Sequence, residues 1–205
     1  MAVKSNLLNM VLCLFTVCLV CSAVLAGVYV LTAAPIAETN ARLLRESIGA
    51  VLPEGGELSE PMESTLNGQT YEVYVLTDDE KVVAYAVKST VVGFGGPLTL
   101  MVGLTPDGVV YNTSVLSHSE TPGLGAKCNT DEKFMAQWKG FDPSSKILSV
   151  KKDGGDVDAI TASTITSRAY TQAVANAVAI VEGMHADVDD EDDDIELTEG
   201  DQDDE

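Results

Sequence analysis

The sequence predicts an α+β protein in which an apolar N-terminal helix precedes a small domain of antiparallel strands and flanking helices. Three observations lead to this prediction. An uncharged run extends from Leu7 to Leu31, two pairs of β-rich segments lie between residues 70 and 118, and helical periodicity dominates after residue 163. The chain of 205 residues accommodates one ordinary domain with extra terminal segments.

The uncharged run from Leu7 to Leu31 predicts a single transmembrane helix. As a helix its 25 residues span ~37 Å, and the hydrocarbon core of a bilayer is ~30 Å thick. Lys4 precedes the run, so residues 1–6 are predicted to be cytoplasmic and the bulk of the chain to lie outside. A cleaved signal peptide is the alternative. The run is longer than a usual signal-peptide core, which favours a retained anchor.

Residues 32–69 are interpreted as a helical connector followed by a loop. Ala41, Leu44 and Ile48 fall on one helical face within a helix predicted over residues 37–52. Pro53 and the glycines after it end that helix, and the stretch from 58 to 70 predicts a loop.

The hydrophobic period then changes to two, which indicates strands. TYEVYVLT and KVVAYAVKST predict one hairpin, and PLTLMVGLT and VVYNTSVLSH predict a second hairpin across Pro106-Asp107-Gly108. These segments, two predicted helices and a further strand make up a domain over residues 70–186. The predicted elements are strands at 70–77, 81–90, 97–105, 109–118 and 146–152, and helices at 131–140 and 163–184.

Charge is concentrated at the C-terminus. Thirteen of the 32 acidic residues lie between Asp187 and Glu205, and removing them from the net charge of −20 leaves −7. No basic cluster is present, so nucleic-acid binding through phosphates is not expected. Residues 187–205 are predicted to be a disordered acidic tail. A calcium loop is the alternative, but the tail lacks the glycine at the sixth place and the spaced closing glutamate that such a loop needs.

The segment DAITASTITSR (158–168) carries five hydroxyl side chains immediately before the last predicted helix. One hydroxyl could cap the helix, or several could bind an anion at its N-terminus, where free N–H groups and the helix dipole favour negative charge. A serine nucleophile would need a base, and the only histidines are His118 and His185. The spacing favours an anion site slightly over a simple cap.

DAITASTIT resembles the flavinylation motif of FMN-binding domains, in which the threonine at the seventh place carries FMN through a phosphoester bond. The motif positions that fit are Asp158, Thr161, Ala162, Ser163, Thr164 and Thr166. The sequence departs from the family pattern at Ala162-Ser163, where Gly-Ala is commoner. HSETPGLGAK (118–127) and GFGGPLTLMVGLTPDGVV (93–110) resemble two further regions of the same family. With the N-terminal span, the chain is similar to G subunits of Rnf-type ion-translocating electron transport complexes.

The resemblance implies covalent FMN on Thr164 and recognition of Asp158 by a separate flavin transferase. The proline and glycines of SETPGLG set a tight backbone that can approach a flat ring, and Leu124 could pack on its face. His118 is interpreted as a structural residue at a strand end. No catalytic residue and no metal site is predicted. The predicted FMN contacts are Glu120, Thr121, Gly123, Leu124, Gly125, Thr161, Ala162, Ser163 and Thr166.

The resemblance therefore implies an electron-carrying flavoprotein subunit that works with the other subunits of a membrane complex. Such a complex passes electrons between ferredoxin and NAD and couples this to Na⁺ or H⁺ transport. The expected location is the bacterial inner membrane, with the flavin domain on the outer, periplasmic face. Two alternatives remain: the C subunit of the Na⁺-pumping NADH:quinone reductase, which carries the same motif, and a membrane-anchored anion-binding module without a redox role.

Overall fold

The computed structural model describes residues 7–79 and 81–193 and divides the chain into two compact units, residues 1–44 and 45–205. The first unit consists of most of helix α1 (Leu7–Val51), whose apolar side chains between Leu7 and Leu31 are exposed. Within the described residues, α1 is the one helix long and apolar enough to cross a membrane, and its most apolar 18-residue window has a mean hydropathy of 2.7.

Helix α1 passes through Pro35 without interruption, so the two helices predicted over residues 7–31 and 37–52 are one helix. The predicted boundary was wrong because Pro35 and the change of composition around it mark the end of the apolar stretch, not the end of the helix. The residues from Arg45 onward belong to the second unit.

The second unit is built on a six-stranded antiparallel sheet. Its strands are β1 (Glu57–Leu58), β2 (Met62–Leu66), β3 (Gln69–Asp78), β4 (Lys81–Val92), β5 (Pro97–Leu104) and β6 (Val110–His118). Their order in the sheet is β1-β3-β4-β5-β6, with β2 paired to β3 as well. The two predicted hairpins, β3–β4 and β5–β6, are confirmed.

Strand β2 lies where the sequence predicts a loop. Met62 pairs with Val73 and Leu66 with Gln69, so the chain turns directly from β2 into β3 through Asn67 and Gly68. The strand was missed because MESTL has no apolar alternation, and its side chains are exposed or half-buried.

The main core lies between one face of the sheet and helix α3 (Thr164–Asp193). The rings of Trp138 and Tyr170 stack there at 5.2 Å between centroids. The Tyr170 hydroxyl donates to Thr113 Oγ1 at 2.8 Å, and burial raises the pKa of that phenol. This packing holds the N-terminal half of α3 firmly against β4 and β5.

The last turns of α1 contact the opposite face of the sheet. Asn112 Nδ2 donates to the Ala50 carbonyl at 2.8 Å, and Ser114 Oγ donates to Ser47 Oγ at 3.2 Å. Gly103 allows the close approach, because a Cβ there would collide with the Val51 backbone. Both faces of the sheet are therefore covered.

Between β6 and α3 the chain forms short turns and one short helix. A 3₁₀ turn spans Gly125–Asn129, helix α2 spans Glu132–Ala136, and a second 3₁₀ turn spans Lys151–Asp153. The strand predicted over 146–152 is wrong: only Val150 forms a bridge, a parallel one with Val157, because the second 3₁₀ turn and Gly154, whose φ is +85°, interrupt the extended backbone.

Helix α3 also continues beyond the predicted end at Met184, to Asp193. The disorder predicted for the start of the acidic tail, residues 187–193, is therefore not observed, since no proline or glycine interrupts the helix there. Residues 194–205 and the side chains after Met184 lie outside the described part of the chain, and so does the calcium-loop alternative.

Candidate functional site

The start of α3 contains a buried hydroxyl without a hydrogen-bond partner. Ser163 precedes the helix, its backbone N–H donates to the Ile160 carbonyl at 3.0 Å, and its side chain does not cap the helix. The residue is only 7% exposed. An unpaired hydroxyl at this depth is costly unless another group satisfies it. It lies beside the first turn of α3, where backbone N–H groups have no partner within the helix.

The turn before α3 requires a left-handed residue at Ala162, whose φ is +62°. Glycine adopts this conformation without steric cost, whereas alanine does so at a penalty. This geometry gives a physical reason for a glycine at this motif position and shows that alanine can occupy it.

The five hydroxyls of this segment have different environments. Ser167 is fully buried and ties the turn together: its Oγ accepts from the Ile160 N–H at 2.9 Å and donates to the Ser163 carbonyl at 3.0 Å. Thr166 is also buried, Thr164 is half-buried and Thr161 is exposed. Of the five, Thr164 combines exposure with a place at the first helical position.

The opposite side of the site is held together by the buried carboxylate of Glu120, which is 5% exposed. This carboxylate accepts the backbone N–H of Phe94 at 2.9 Å and of Gly95 at 3.3 Å, so it ties the GFGG turn to the SETPGLG loop. The Glu120 N–H in turn donates to Nδ1 of His118, which confirms a structural role for that histidine.

Glycine at position 125 is required by close packing. A Cβ on Gly125 would lie 2.5 Å from Glu120 Oε2 and 2.7 Å from Thr166 Oγ1. The nearby Cys128 thiol is fully buried, and burial together with the Glu120 charge raises its pKa to about 11. It is therefore a neutral core residue.

These two sides enclose a cavity of about 350 Å³. We call residues 93–96 and 118–125 the glycine wall, and residues 158–167 the hydroxyl wall. The cavity is lined by Phe94, Glu120, Thr121, Leu124, Gly125, Ala162, Ser163, Thr164, Ile165 and Thr166. Its volume falls within the range of ~300–1,000 Å³ usual for small-molecule sites.

Eight of the residues predicted from sequence line this cavity, and two further lining residues were missed. The missed residues are Phe94 and Ile165, whose side chains are 67% and 50% exposed. Phe94 was available from the sequence, because it is the aromatic residue of the GFGG stretch. Ile165 carries no signal of its own.

Three predicted residues do not line the cavity. Gly123 is a turn residue with φ of +76°. Asp158 and Thr161 border a separate cavity of about 170 Å³. The Asp158 backbone is held by Gln137, whose amide accepts from its N–H at 2.8 Å and donates to its carbonyl at 3.1 Å. The structure thus separates Asp158 from the residues around Thr164.

Ionic contacts surround the hydroxyl wall on its exposed side. Lys151 pairs with Asp158 at 2.8 Å, and Lys152 Nζ donates to Thr164 Oγ1 at 3.1 Å. Arg168 donates two hydrogen bonds of 2.7 Å to Asp153, and these bonds lower the pKa of the Asp153 carboxyl.

The FMN-binding domain family matches residues 93–179, the part of the chain that contains both walls. This match assigns residues 93–179 to the FMN-binding domain class. The chain is 32% identical over 164 residues to the G subunit of the proton-translocating ferredoxin:NAD(+) oxidoreductase complex of Clostridium ljungdahlii, covering 78% of this chain and 84% of that protein. It is 39% identical over 126 residues to the G subunit of the ion-translocating oxidoreductase complex of Erwinia tasmaniensis, covering 58% and 59%.

The chain therefore belongs to the family formed by the G subunits of ion-translocating oxidoreductase complexes. A solved structure, that of Shewanella oneidensis NqrC, aligns with 26% identity and a TM-score of 0.43 over 55% of this chain and 61% of that one.

The residues that line the cavity are chemically compatible with FMN. Apolar side chains at its mouth suit a flat ring. The N-terminus of α3 and the orphaned Ser163 hydroxyl offer hydrogen-bond donors for a phosphate.

Proposed function

We propose that this chain is the electron-carrying flavoprotein subunit of a membrane-bound, ferredoxin:NAD-type ion-translocating oxidoreductase, with FMN attached covalently to Thr164. The single observation that carries the proposal is the position of Thr164: its side chain borders a cavity of FMN-compatible size while remaining half-exposed. A side chain that a separate flavin transferase modifies must both border the flavin cavity and remain accessible to that enzyme.

The attachment chemistry assigns Thr164 the role of acceptor. In the transferase, Thr164 Oγ1 attacks the phosphorus on the FMN side of FAD, the bond from that phosphorus to the oxygen of the AMP leaving group breaks, and AMP departs. The hydroxyl proton is released as the new ester forms. The product is a phosphodiester with one negative charge.

The chain can hold that charge from the inner side of the site. The first backbone N–H groups of α3 lack helical partners and carry the positive end of the helix dipole, which stabilises an anion. Ser163 Oγ, buried and unpaired, supplies a further donor beside them. These groups would hold the phosphate whichever way the ring is oriented.

The apolar part of the lining would hold the ring. Phe94, Leu124 and Ile165 are exposed apolar side chains that border the cavity, and covering them removes apolar area from water at ~25 cal/mol per Å². FMN supplies the ability to accept and donate electrons when bound. The protein supplies the position, and the half-open mouth leaves a route for electron exchange with neighbouring subunits.

We infer that α1 anchors the domain in the bacterial inner membrane and places it on the periplasmic face. The apolar stretch of α1 supports this inference by its length and its exposed surface. The protein would work with the other subunits of its complex, and it would meet the flavin transferase only during maturation.

The proposal is tested by measuring covalent flavin attachment to variants of the chain. The full chain is co-expressed with a flavin transferase, and flavin fluorescence is recorded in denaturing gels, where only covalent flavin remains. We expect fluorescence from the wild type and from Thr161→Val, whose hydroxyl is exposed outside the cavity, and none from Thr164→Val. A fluorescent Thr164→Val protein would refute the attachment site.

A further inference from the structure

The 3₁₀ turn Lys151–Asp153, which we call the basic turn, contacts the hydroxyl wall and the first turns of α3 with each of its side chains. Lys151 pairs with Asp158, Asp153 pairs with Arg168, and Lys152 between them donates to Thr164 Oγ1 at 3.1 Å. The two flanking ion pairs, at 2.8 and 2.7 Å, fix the turn along the segment that ends at the proposed attachment atom.

The backbone of the basic turn is also fixed. The Lys151 N–H donates to the Val157 carbonyl at 2.8 Å, and the turn ends at Gly154, whose φ is +85°. Gly155 packs so closely on the Ser149 backbone that a Cβ there would collide with it. Because the backbone is tied on both sides, the position of Lys152 beside Thr164 follows from the fold.

Lys152 reaches Thr164 from the solvent side. The buried Ser163 Oγ, unpartnered and 93% removed from solvent, borders the cavity on the inner side together with the N-terminus of α3. A phosphoryl group bonded to Thr164 Oγ1 would therefore have donors available on both sides. An ammonium is a donor only, so Lys152 cannot take the threonine proton.

We propose that Lys152 is a positioning residue for covalent flavin attachment: its ammonium pairs with the phosphoryl group that becomes bonded to Thr164 Oγ1. This proposal rests on the proposed function and adds the group that neutralises the phosphodiester from the outer side. The same contact acts during transfer, when Lys152 orients the acceptor oxygen and stabilises charge on the phosphoryl oxygens, and afterwards, when it holds the diester in place.

The proposal has two separate consequences. Loss of the ammonium should slow flavin loading by roughly tenfold, the size expected for one charge-assisted hydrogen bond. It should also reduce the increase in melting temperature that loading gives. Both effects should shrink as salt is raised, because the contact is exposed to solvent.

The test compares full-length Lys152→Gln, Lys152→Arg and Lys139→Gln with the wild type. Lys139 is an exposed lysine outside the cavity and controls for the loss of one surface charge. Each purified apo-protein is incubated with FAD, Mg²⁺ and a flavin transferase, the loaded fraction is followed by intact mass, and the melting temperature is measured before and after loading.

We expect Lys152→Gln to load roughly tenfold more slowly, Lys152→Arg to recover most of the rate, and Lys139→Gln to match the wild type. The apo-proteins should melt within about 2 °C of one another, because exposed substitutions change stability little. Equal loading rates and equal stability gains for wild type and Lys152→Gln would overturn the role of Lys152 while leaving flavin attachment intact. A wild type that does not load would overturn both proposals.

Discussion

The two walls of the cavity are stabilised in opposite ways. The glycine wall is held by a buried carboxylate that bonds two backbone N–H groups, and by Gly125, which leaves no room for a Cβ. The hydroxyl wall has a left-handed alanine, a buried hydroxyl without a partner and ion pairs on its solvent side. The comparison indicates that close packing fixes the shape of the glycine wall, whereas the hydroxyl wall has polar groups available to bind a charged group.

The largest expected effect comes from filling the glycine wall. Gly125→Ala places a methyl group against Glu120 and Thr166, so we expect a loss of ~2–3 kcal/mol in the free energy of unfolding from overpacking. The cavity should also bind flavin less well. Chemical denaturation of the apo-protein measures the first effect, and the visible spectrum of the loaded protein measures the second.

Gly183→Ala is the matched control, since Gly183 lies in α3 with open space around its Cβ position. It should stabilise the protein by up to ~1 kcal/mol, because alanine favours the helix. Equal stabilities for the two variants would contradict the close packing assigned to Gly125.

The next largest effect is expected from Glu120→Gln, which removes the buried charge of the glycine wall. In Glu120→Gln only one side-chain oxygen can accept, so either the Phe94 or the Gly95 N–H faces an amide NH₂ instead. We expect a loss of ~1–2 kcal/mol from this unsatisfied contact, measured by denaturant unfolding. Glu72→Gln, at the half-buried pair with Lys88, should cost less than ~1 kcal/mol. A larger loss at Glu72 would contradict the assignment.

A smaller effect of opposite sign is expected in the hydroxyl wall. Ala162→Gly removes the left-handed strain at φ +62° but adds freedom to the unfolded chain, so a net gain of ~0.5 kcal/mol is expected. Ala136→Gly, at an exposed position of α2, should instead destabilise the protein by up to ~1 kcal/mol. Thermal unfolding measures the stability change in both variants. A destabilised Ala162→Gly would show that the backbone strain at this turn is negligible.

The smallest effect concerns the ion pairs outside the hydroxyl wall. Arg168 lowers the pKa of Asp153 in the folded protein, so the pair stabilises the fold above the unfolded-state pKa of ~3.9 and loses this contribution as pH falls through the folded value. Wild type should therefore melt above Asp153→Asn at pH 6, and the difference should vanish in stronger acid. A difference that grows on acidification would have the wrong sign.

The sequence predicts the central sheet well and its surroundings less well. Strands β3 to β6 combine β-branched residues with clear turns, so local pattern and tertiary burial agree. KILSVKK has the same local preference, but its β pairing is limited to the isolated parallel Val150–Val157 bridge because a 3₁₀ turn that ends at the left-handed Gly154 interrupts the extended backbone. Local β propensity therefore does not determine the conformation of residues 146–152.

The candidate site shows a similar division. The residues of the two motifs were predicted to converge, and the structure brings eight of them to one cavity. Contacts made by residues outside the motifs, such as Lys152 with Thr164 and Gln137 with Asp158, depend on how distant turns pack. A single sequence contains no local signal for them.

Thr164 is proposed to carry the flavin, and one tryptic peptide distinguishes it from the other four hydroxyls. Trypsin cleaves after Lys152 and Arg168, so residues 153–168 form one peptide that contains all five hydroxyls of the hydroxyl segment. Fragmentation of this peptide from the loaded full-length protein should place the FMN phosphoryl group on Thr164. A modification on Thr161, Ser163, Thr166 or Ser167, or an unmodified peptide from a flavin-containing protein, would contradict the account.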